Sequence, residues 1–537
     1  MSLQPRSGPL GIRLASHLLR RASFSYSIPR IQQFATMSAS DAVDQLFQIP
    51  NFTHPEGPIN WEDGQTAWLT DIANYRNGPA TNMGPRRNAI WLWVANESIK
   101  DTSIRHKMAF FWHAIFVTEI DNDWREFNLF RLFQEFCIGN IRDLAYKTTL
   151  DSKMLRYLNN NTNDKGKPNE NYAREFLELF TILKGATIGT GNYTNYTEED
   201  IIQAARVLTG FNDSNNTNLD PDTGLTTGIV NYNQHDAGNK TFSAAFGHQT
   251  IQGATDAEDM YRELGAFVDM IFHQMETARA YVRRLYRFFV SDKIVDTVEQ
   301  QIIEPLSIQL YNDQYEIEGT LKALLKSDHF YDSADQLLGD QTIGAKIKSP
   351  LELLLGSLNL FDANQMGSLS ADPAKYINYP RPFLLETLLP LGFSVYPLSV
   401  EGYPGFFKSP NYSKYWFDQA TIAYRYRLPN ALIDGKAVKG NRNAPFQMDV
   451  VSYFDQHFMN QEYAEDLVRQ FLEFTLPAMP DGERFGYFLQ KLLGDLSTIN
   501  WMFEWQNFKQ SGEDDAVRIA LTDLFEAVVG SPEFQTF

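Results

Sequence analysis

The strongest constraint on this chain is the spacing of its apolar residues. They recur every three or four positions in "DAVDQLFQI", in "NIRDLAYKTTLDSKMLRYL" and in "TARAYVRRLYRFFV". The same holds towards the C-terminus in "AEDLVRQFLEFTL", "RFGYFLQKLLGDL" and "DAVRIALTDLFEAVVG". That period lays an apolar stripe along a helix, and strand-like alternation is scarce. The sequence therefore predicts a mostly α fold: a large multi-helix globular protein with long ordered loops and at most a small β-hairpin, placed in 211–253.

Composition narrows the class. Hydrophobic residues make up 43% of the 537 and aromatics 14%, which is ample core material and unlike a disordered chain. The formal net charge of −19 argues against a general nucleic-acid binder and against docking on anionic membranes. No apolar run reaches the length of a membrane span. The single cysteine, Cys137, excludes an intrachain disulfide, and its apolar surroundings predict a buried thiol.

Two units are expected: residues 1–370 as the main helical domain, and 371–537 as an aromatic, Pro-rich connector with a C-terminal helical subdomain. Within the connector, "YINYPRPFLLETLLPLGFSVYPLSVEGYPGFFKSPNYSKYW" (376–416) is expected to be ordered, because its many rings need burial. Residues 159–168 form a polar loop. The Asn-, Gly- and Thr-rich stretch 211–253 is too long for an idle connection in a compact domain and is read as functional. "YTEEDIIQAARVLTG" has Thr197 at an N-cap, Asp200 in the first turn and Gly210 closing the helix. The N-terminal 40 residues hold five arginines and no acid before Asp41. That is transit-peptide composition, or else two folded helices.

"NENYAREFLELF" (169–180) carries the most informative pattern. At roughly 100° per residue, Tyr172, Ala173, Phe176, Leu177, Leu179 and Phe180 share one side. Asn171, Glu175 and Glu178 fall together on the other. On a solvated face Glu170–Arg174 and Arg174–Glu178 are i,i+4 pairs worth about 0.2–0.5 kcal/mol each. On a functional face Asn171, Glu175 and Glu178 offer oxygens one turn apart to a cation or a polar substrate, and an added His widens the choice of metal. Two further segments carry histidine. His235-Asp236 sits in "NQHDAGNK" with Lys240. "RHKMAFFWHAIF" is apolar nearly all round and should be buried, with His106 and His113 on one face. Each is a catalytic or ligand candidate against the plainer alternative of a hydrogen-bonded core or surface residue. No nucleophile elbow, P-loop, H-E-x-x-H or strand-borne G-x-G-x-x-G occurs.

In order along the chain, "HLLRRASFS", "KMAFFWHAIF", "MLRYLNNNTNDKGKPNENYAREFLELFT", "YTEEDIIQAARVLTGF", "HDAGNKTF" and "SVEGYPGFF…W" resemble a large bacterial family catalogued as domain of unknown function 1800 (DUF1800). The resemblance runs from about residue 12 to the end and is most specific over 154–211. It implies that the basic N-terminal segment is folded protein. It maps the family's polar motif onto Asn169, Glu170, Asn171, Tyr172, Arg174, Glu175 and Glu178, and onto Thr197, Glu198, Arg206, Thr209, Gly210, His235, Asp236 and Lys240. It further implies export to the periplasm or cell envelope and a partner of the unknown-function family numbered 1501. No secretory signal stands in this sequence, so a cytoplasmic location is the alternative. The chain departs from the family at its W-H-N-H-F pattern, where Ile115 replaces the second histidine.

Three readings follow. In the first, an acid-rich pocket binds a cation or polar substrate, as in a metal-dependent hydrolase-type enzyme. His235, Asp236 and Glu175 are then catalytic. Asn171, Tyr172, Arg174, Arg206 and Lys240 line the pocket, and Glu175, Glu178, His235 and His113 hold a divalent metal ion. In the second, the protein is a non-catalytic envelope binder or scaffold. Its partner or glycan surface is then made of Tyr379, Phe383, Tyr396, Tyr403, Phe406, Phe407 and Trp416. In the third, the polar motif is an internal hydrogen-bond network of a helical scaffold. Convergence of the acids and His235 on one open cleft favours the first reading; a closed, fully paired network favours the third.

Overall fold

Helices account for the architecture, as the apolar period requires. The computed structural model describes residues 3–50, 83–119, 122–215, 217–332, 341–366, 378–396 and 401–537. Residue 216 of the long loop and residues 376–377 and 397–400 of the connector lie outside the described set. The buried apolar side chains form one continuous cluster running from Leu10 to Phe534.

Two helices form its centre. Arg105–Ile115 buries every residue from His106 to His113, as its all-round apolar sequence predicts. Met275–Phe289 buries nine side chains and leaves its four arginines half-buried. Cys137 is buried and free, and desolvation pushes its thiol up to about 12.

The basic segment near the N-terminus is folded. Gly11–Ala22 is a helix with Ala15 to Ala22 buried. Burial of Arg20 and Arg21 is tolerated because backbone carbonyls replace water around the guanidinium groups. Arg21 donates to the carbonyl oxygens of Val290 (2.9 Å) and Thr342, and Arg20 to that of Phe474. These bonds tie the first helix to segments far along the chain. Close by, Lys107 pairs with Glu352, which also closes a capping box with Ser349. The surrounding cations hold the Glu352 carboxyl down at about 2 despite its burial.

Strand content is small but more dispersed than one hairpin. Among the described residues of 211–253 there are three two-residue antiparallel pairs, Phe211–Asn212 with Ile229–Val230, Asn218–Leu219 with Thr226–Thr227, and Lys240–Thr241 with Thr250–Ile251. A fourth, Thr187–Gly189 with Asn192–Tyr193, lies outside that region. Gly191 adopts φ 68° in its turn, a conformation that glycine reaches without strain. The long loop is tethered to the preceding helix. Thr197 and Asp200 form the expected capping box, and the Asp200 carboxylate also accepts from Ser243 N and Oγ, both at 2.7 Å.

The described parts of the connector are packed. Phe383, Tyr403 and Trp416 are buried, while Tyr379, Tyr396, Phe406 and Phe407 are half-buried. Phe393 and Tyr403 stack with centroids 4.9 Å apart. Gly405 lets Trp416 approach its backbone: a Cβ there would meet Trp416 Cε2 at 2.2 Å. No described helix is long and apolar enough to cross a membrane.

Candidate functional site

The Asn-Glu-Asn opening of the motif is a helix start. Asn169 caps Glu170–Glu175: its side-chain oxygen accepts from Asn171 N at 3.0 Å, while its own N–H donates to Asn163 Oδ1 at 2.8 Å. Tyr172 is buried, and its hydroxyl bonds Thr149 Oγ1 at 3.0 Å. Asn171 is exposed.

Past Glu175 the helix widens into a π turn over Phe176–Phe180, with Thr181 N donating to Phe176 O at 3.0 Å. Such turns recur at functional sites because they re-aim side chains on an otherwise regular helix. Here the widened end is held by the neighbouring helix. Tyr281 Oη donates to Phe180 O at 2.8 Å, and Arg284 donates to the carbonyl oxygens of Phe180 (3.2 Å) and Leu179. A cation thereby caps the helix C-terminus.

This changes the pairing expected from regular spacing. Arg174 does meet Glu170, at 3.2 Å, but its stronger partner is Glu198, reached through both guanidinium nitrogens at 2.9 and 2.7 Å. Glu178 pairs instead with Lys184 Nζ at 2.6 Å and accepts from Tyr196 Oη at 3.2 Å. The expected Arg174–Glu178 rung is replaced, because Glu178 sits inside the π turn.

Glu175 has no such partner among the described residues. It is half-buried, and its carboxyl is pushed up to about 7, first by desolvation, then by the Glu178 charge, with Arg174 opposing and Glu401 adding to the rise. Glu401, whose charge acts on Glu175, lines a cleft of about 230 Å³ whose walls include Phe111, Ile115, Leu179, Phe288 and Phe406 and whose other polar members are Arg284, Arg287 and Tyr412. Leu179 and Leu183 bring the motif's own segment into that lining. Ile115, which stands where the resemblance places a second histidine, lines the same cleft.

The histidines lie elsewhere. His235 is fully buried, with Nδ1 at 2.8 Å from Thr209 O and Nε2 at 2.9 Å from Glu263 Oε2. Glu263 also accepts from Ala254 N at 2.6 Å and pairs with Lys240 Nζ at 2.5 Å. Lys240 donates in turn to Asp236 O. Arg206 holds Asp236 through Nε and Nη2, at 2.7 and 3.2 Å, and keeps its carboxyl low against the opposing effect of burial. Both imidazole nitrogens are thus spent on partners that flank the 211–253 loop, Thr209 before it and Glu263 after it. Among the described residues no hydrogen bond or ion pair joins His235 or Asp236 to the expected pocket acids Glu175 and Glu178; the loop folds onto Asp259–Phe272 through Glu263, a residue the sequence reading missed. No motif flagged Glu263, a lone acid in an apolar helix face ("MYRELGAF"), although burial of an acid there demands partners.

His113 is buried among Trp91, Phe110 and Tyr403, with Nε2 at 3.0 Å from Tyr403 Oη. Burial drives its pKa down to about 3, so the ring is neutral. His106 is separately engaged, by Asp101 at 2.7 Å and Gln134 at 2.9 Å. Among the described residues no group of three or more His, Cys, Asp or Glu side chains is placed to hold a metal ion. The expected ligand set Glu175, Glu178, His235 and His113 therefore does not assemble, because each histidine is fixed in its own network.

Comparison with curated proteins and with solved structures gave no match. A family model covers residues 17–536, nearly the whole chain, and includes every segment of the motif helix, the loop and the cleft described above. The chain belongs to the family described as "Protein of unknown function (DUF1800)".

Proposed function

We propose that the protein binds an organic molecule with an apolar or ring-shaped body in the cleft walled by Phe111, Ile115, Phe288 and Phe406, and that Glu175 exchanges a proton with it. The observation that carries this reading is the state of Glu175: a carboxyl without a paired cation, pushed up to about 7 and within electrostatic reach of Glu401, which with Leu179 of the same motif lines an open, mostly apolar cleft. A group that titrates near the working pH is the effective proton donor or acceptor in general acid–base catalysis, and displaced titrations of this kind cluster at functional sites. Apolar walls with a few convergent polar groups are the usual form of a small-molecule site. The chemistry is therefore of the acid–base kind that hydrolases and isomerases use. His235, Asp236 and Lys240 hold the loop, and no step is assigned to them.

Screening ring-bearing fragments by ligand-observed NMR tests the reading. Hits should disappear in Ile115→Trp, which fills the cleft, and the pH dependence of their affinity should flatten in Glu175→Gln. Hits that survive Ile115→Trp would remove the cleft from the proposal. A pH dependence unchanged in Glu175→Gln would remove Glu175.

A further inference from the structure

The Met275–Phe289 helix carries four arginines between 279 and 287, and three of them are satisfied. Arg279 pairs with Glu304 and Glu276, and Arg283 with Glu299. Arg284 caps the carbonyls of Leu179 and Phe180. Arg287 differs. Among the described residues it has no carboxylate at ion-pair distance and no hydrogen bond, and its Nε is buried without an acceptor. Its guanidinium carbon lies 4.7 Å from the centroid of the Tyr412 ring. Desolvation lowers its pKa, against the weaker opposing influence of Glu299 and Asp292, neither of which is paired with it.

Arg287 and Tyr412 also occupy a particular place. Both line the same cleft as Glu401, and both line an adjoining depression of about 620 Å³ that contains Ser291, Lys293, Asn411 and Lys414. The nearest acid of that depression, Asp292, is engaged by Ser413, whose N–H donates at 2.9 Å and whose hydroxyl donates as well. Across the two cavities the basic side chains Arg284, Arg287, Lys293 and Lys414 stand against Glu401 and Asp292. That is a local reversal in a chain of net charge −19. A planar guanidinium fixed against a ring presents its remaining N–H groups in a fork that fits a carboxylate or phosphate.

We propose that Arg287, stacked on Tyr412, is the anion anchor of the cleft, and that the ligand is an apolar or ring-bearing molecule carrying a carboxylate or phosphate group. The anion sits against Arg287 while the body lies along Ile115, Phe288 and Phe406, which directs the rest of the molecule towards Glu401 and Glu175. The inference rests on the cleft reading above and adds the charge of the ligand to it.

The test uses the full chain and three probes of one ring size: benzoate, phenyl phosphate and the uncharged benzamide. Affinities are measured by ligand-observed NMR titration. At least one anion should bind about tenfold or more tightly than benzamide, the margin expected of a charged hydrogen-bonded contact. Which anion wins distinguishes a carboxylate ligand from a phosphate ligand. In Arg287→Gln that margin should vanish while benzamide affinity stays the same. Should Arg287→Gln fail to fold, Arg287→Lys keeps the charge and removes the fork, and the margin should fall severalfold. Anions that bind no better than benzamide, or that keep their margin in the folded variant, overturn the inference and leave the cleft reading standing. If benzamide and both anions all fail to bind, the inference and the cleft reading fall together.

Discussion

His235 Nε2 lies 2.9 Å from Glu263 Oε2, and solvent reaches neither side chain. The histidine that the sequence marks as a catalytic candidate is the centre of a closed network. Its carboxylate comes from a helix more than twenty residues further on and is shared with Lys240.

Glu263→Gln should therefore destabilise the protein strongly. It removes the counter-charge of buried Lys240 and replaces an acceptor with a partial donor facing Ala254 N. Breaking a buried pair from one side costs about 3–5 kcal/mol, to be read as a lowered urea midpoint. A variant that unfolds with the parent would show that the network does not hold the 211–253 loop.

Asp200→Ala should loosen the same loop from its other end. The carboxylate completes the capping box and binds Ser243 twice. The expected loss is about 1–3 kcal/mol, with faster amide exchange at Ser243 as the local sign. Protected exchange at Ser243 in the variant would contradict this.

Gly405→Ala tests the connector. An added methyl group collides with the Trp416 ring, and overpacking of this kind costs about 1–3 kcal/mol. Tryptophan emission should shift as the ring is displaced. Unchanged stability and emission would show that the connector gives way freely.

Much of the fold was legible in the sequence because burial imposes a period. The apolar stripes of 105–115 and 277–290, the Thr197 cap and the buried Cys137 all follow from local rules. The site was only partly legible. Regular angles put Glu175 and Glu178 on one face, and the Glu178 charge acts on Glu175. They did not foresee the π turn, which comes from Arg284 and Tyr281 holding the carbonyls of Leu179 and Phe180 from another helix. His235 beside Asp236 looked like a functional pair because spacing along the chain cannot reveal that Arg206 and Glu263, distant in sequence, satisfy each of them. Arg287 gave no signal at all. Its distinction is the absence of a partner, and that is visible only once its neighbours have found theirs.

The raised pKa of Glu175 carries a stability consequence. The folded protein holds this proton more tightly than the unfolded chain does. Its contribution is therefore fully present below the unfolded value near 4.5 and is lost as pH rises through about 7. Relative to Glu175→Gln, the parent should lose ~1 kcal/mol over that window, a figure reduced for the partial exposure of the group. Parallel stability–pH curves for the two proteins would contradict the assignment.

Proton exchange by Glu175, a carboxyl poised near neutrality, is what the proposed function depends on. The most direct measurement is an infrared pH titration of the carboxyl C=O band, taken as the difference between the parent and Glu175→Gln. One carboxyl should be protonated in mildly acidic solution, titrate near pH 7 and be missing from the variant. A difference spectrum with no carboxyl titrating in the neutral range would contradict it.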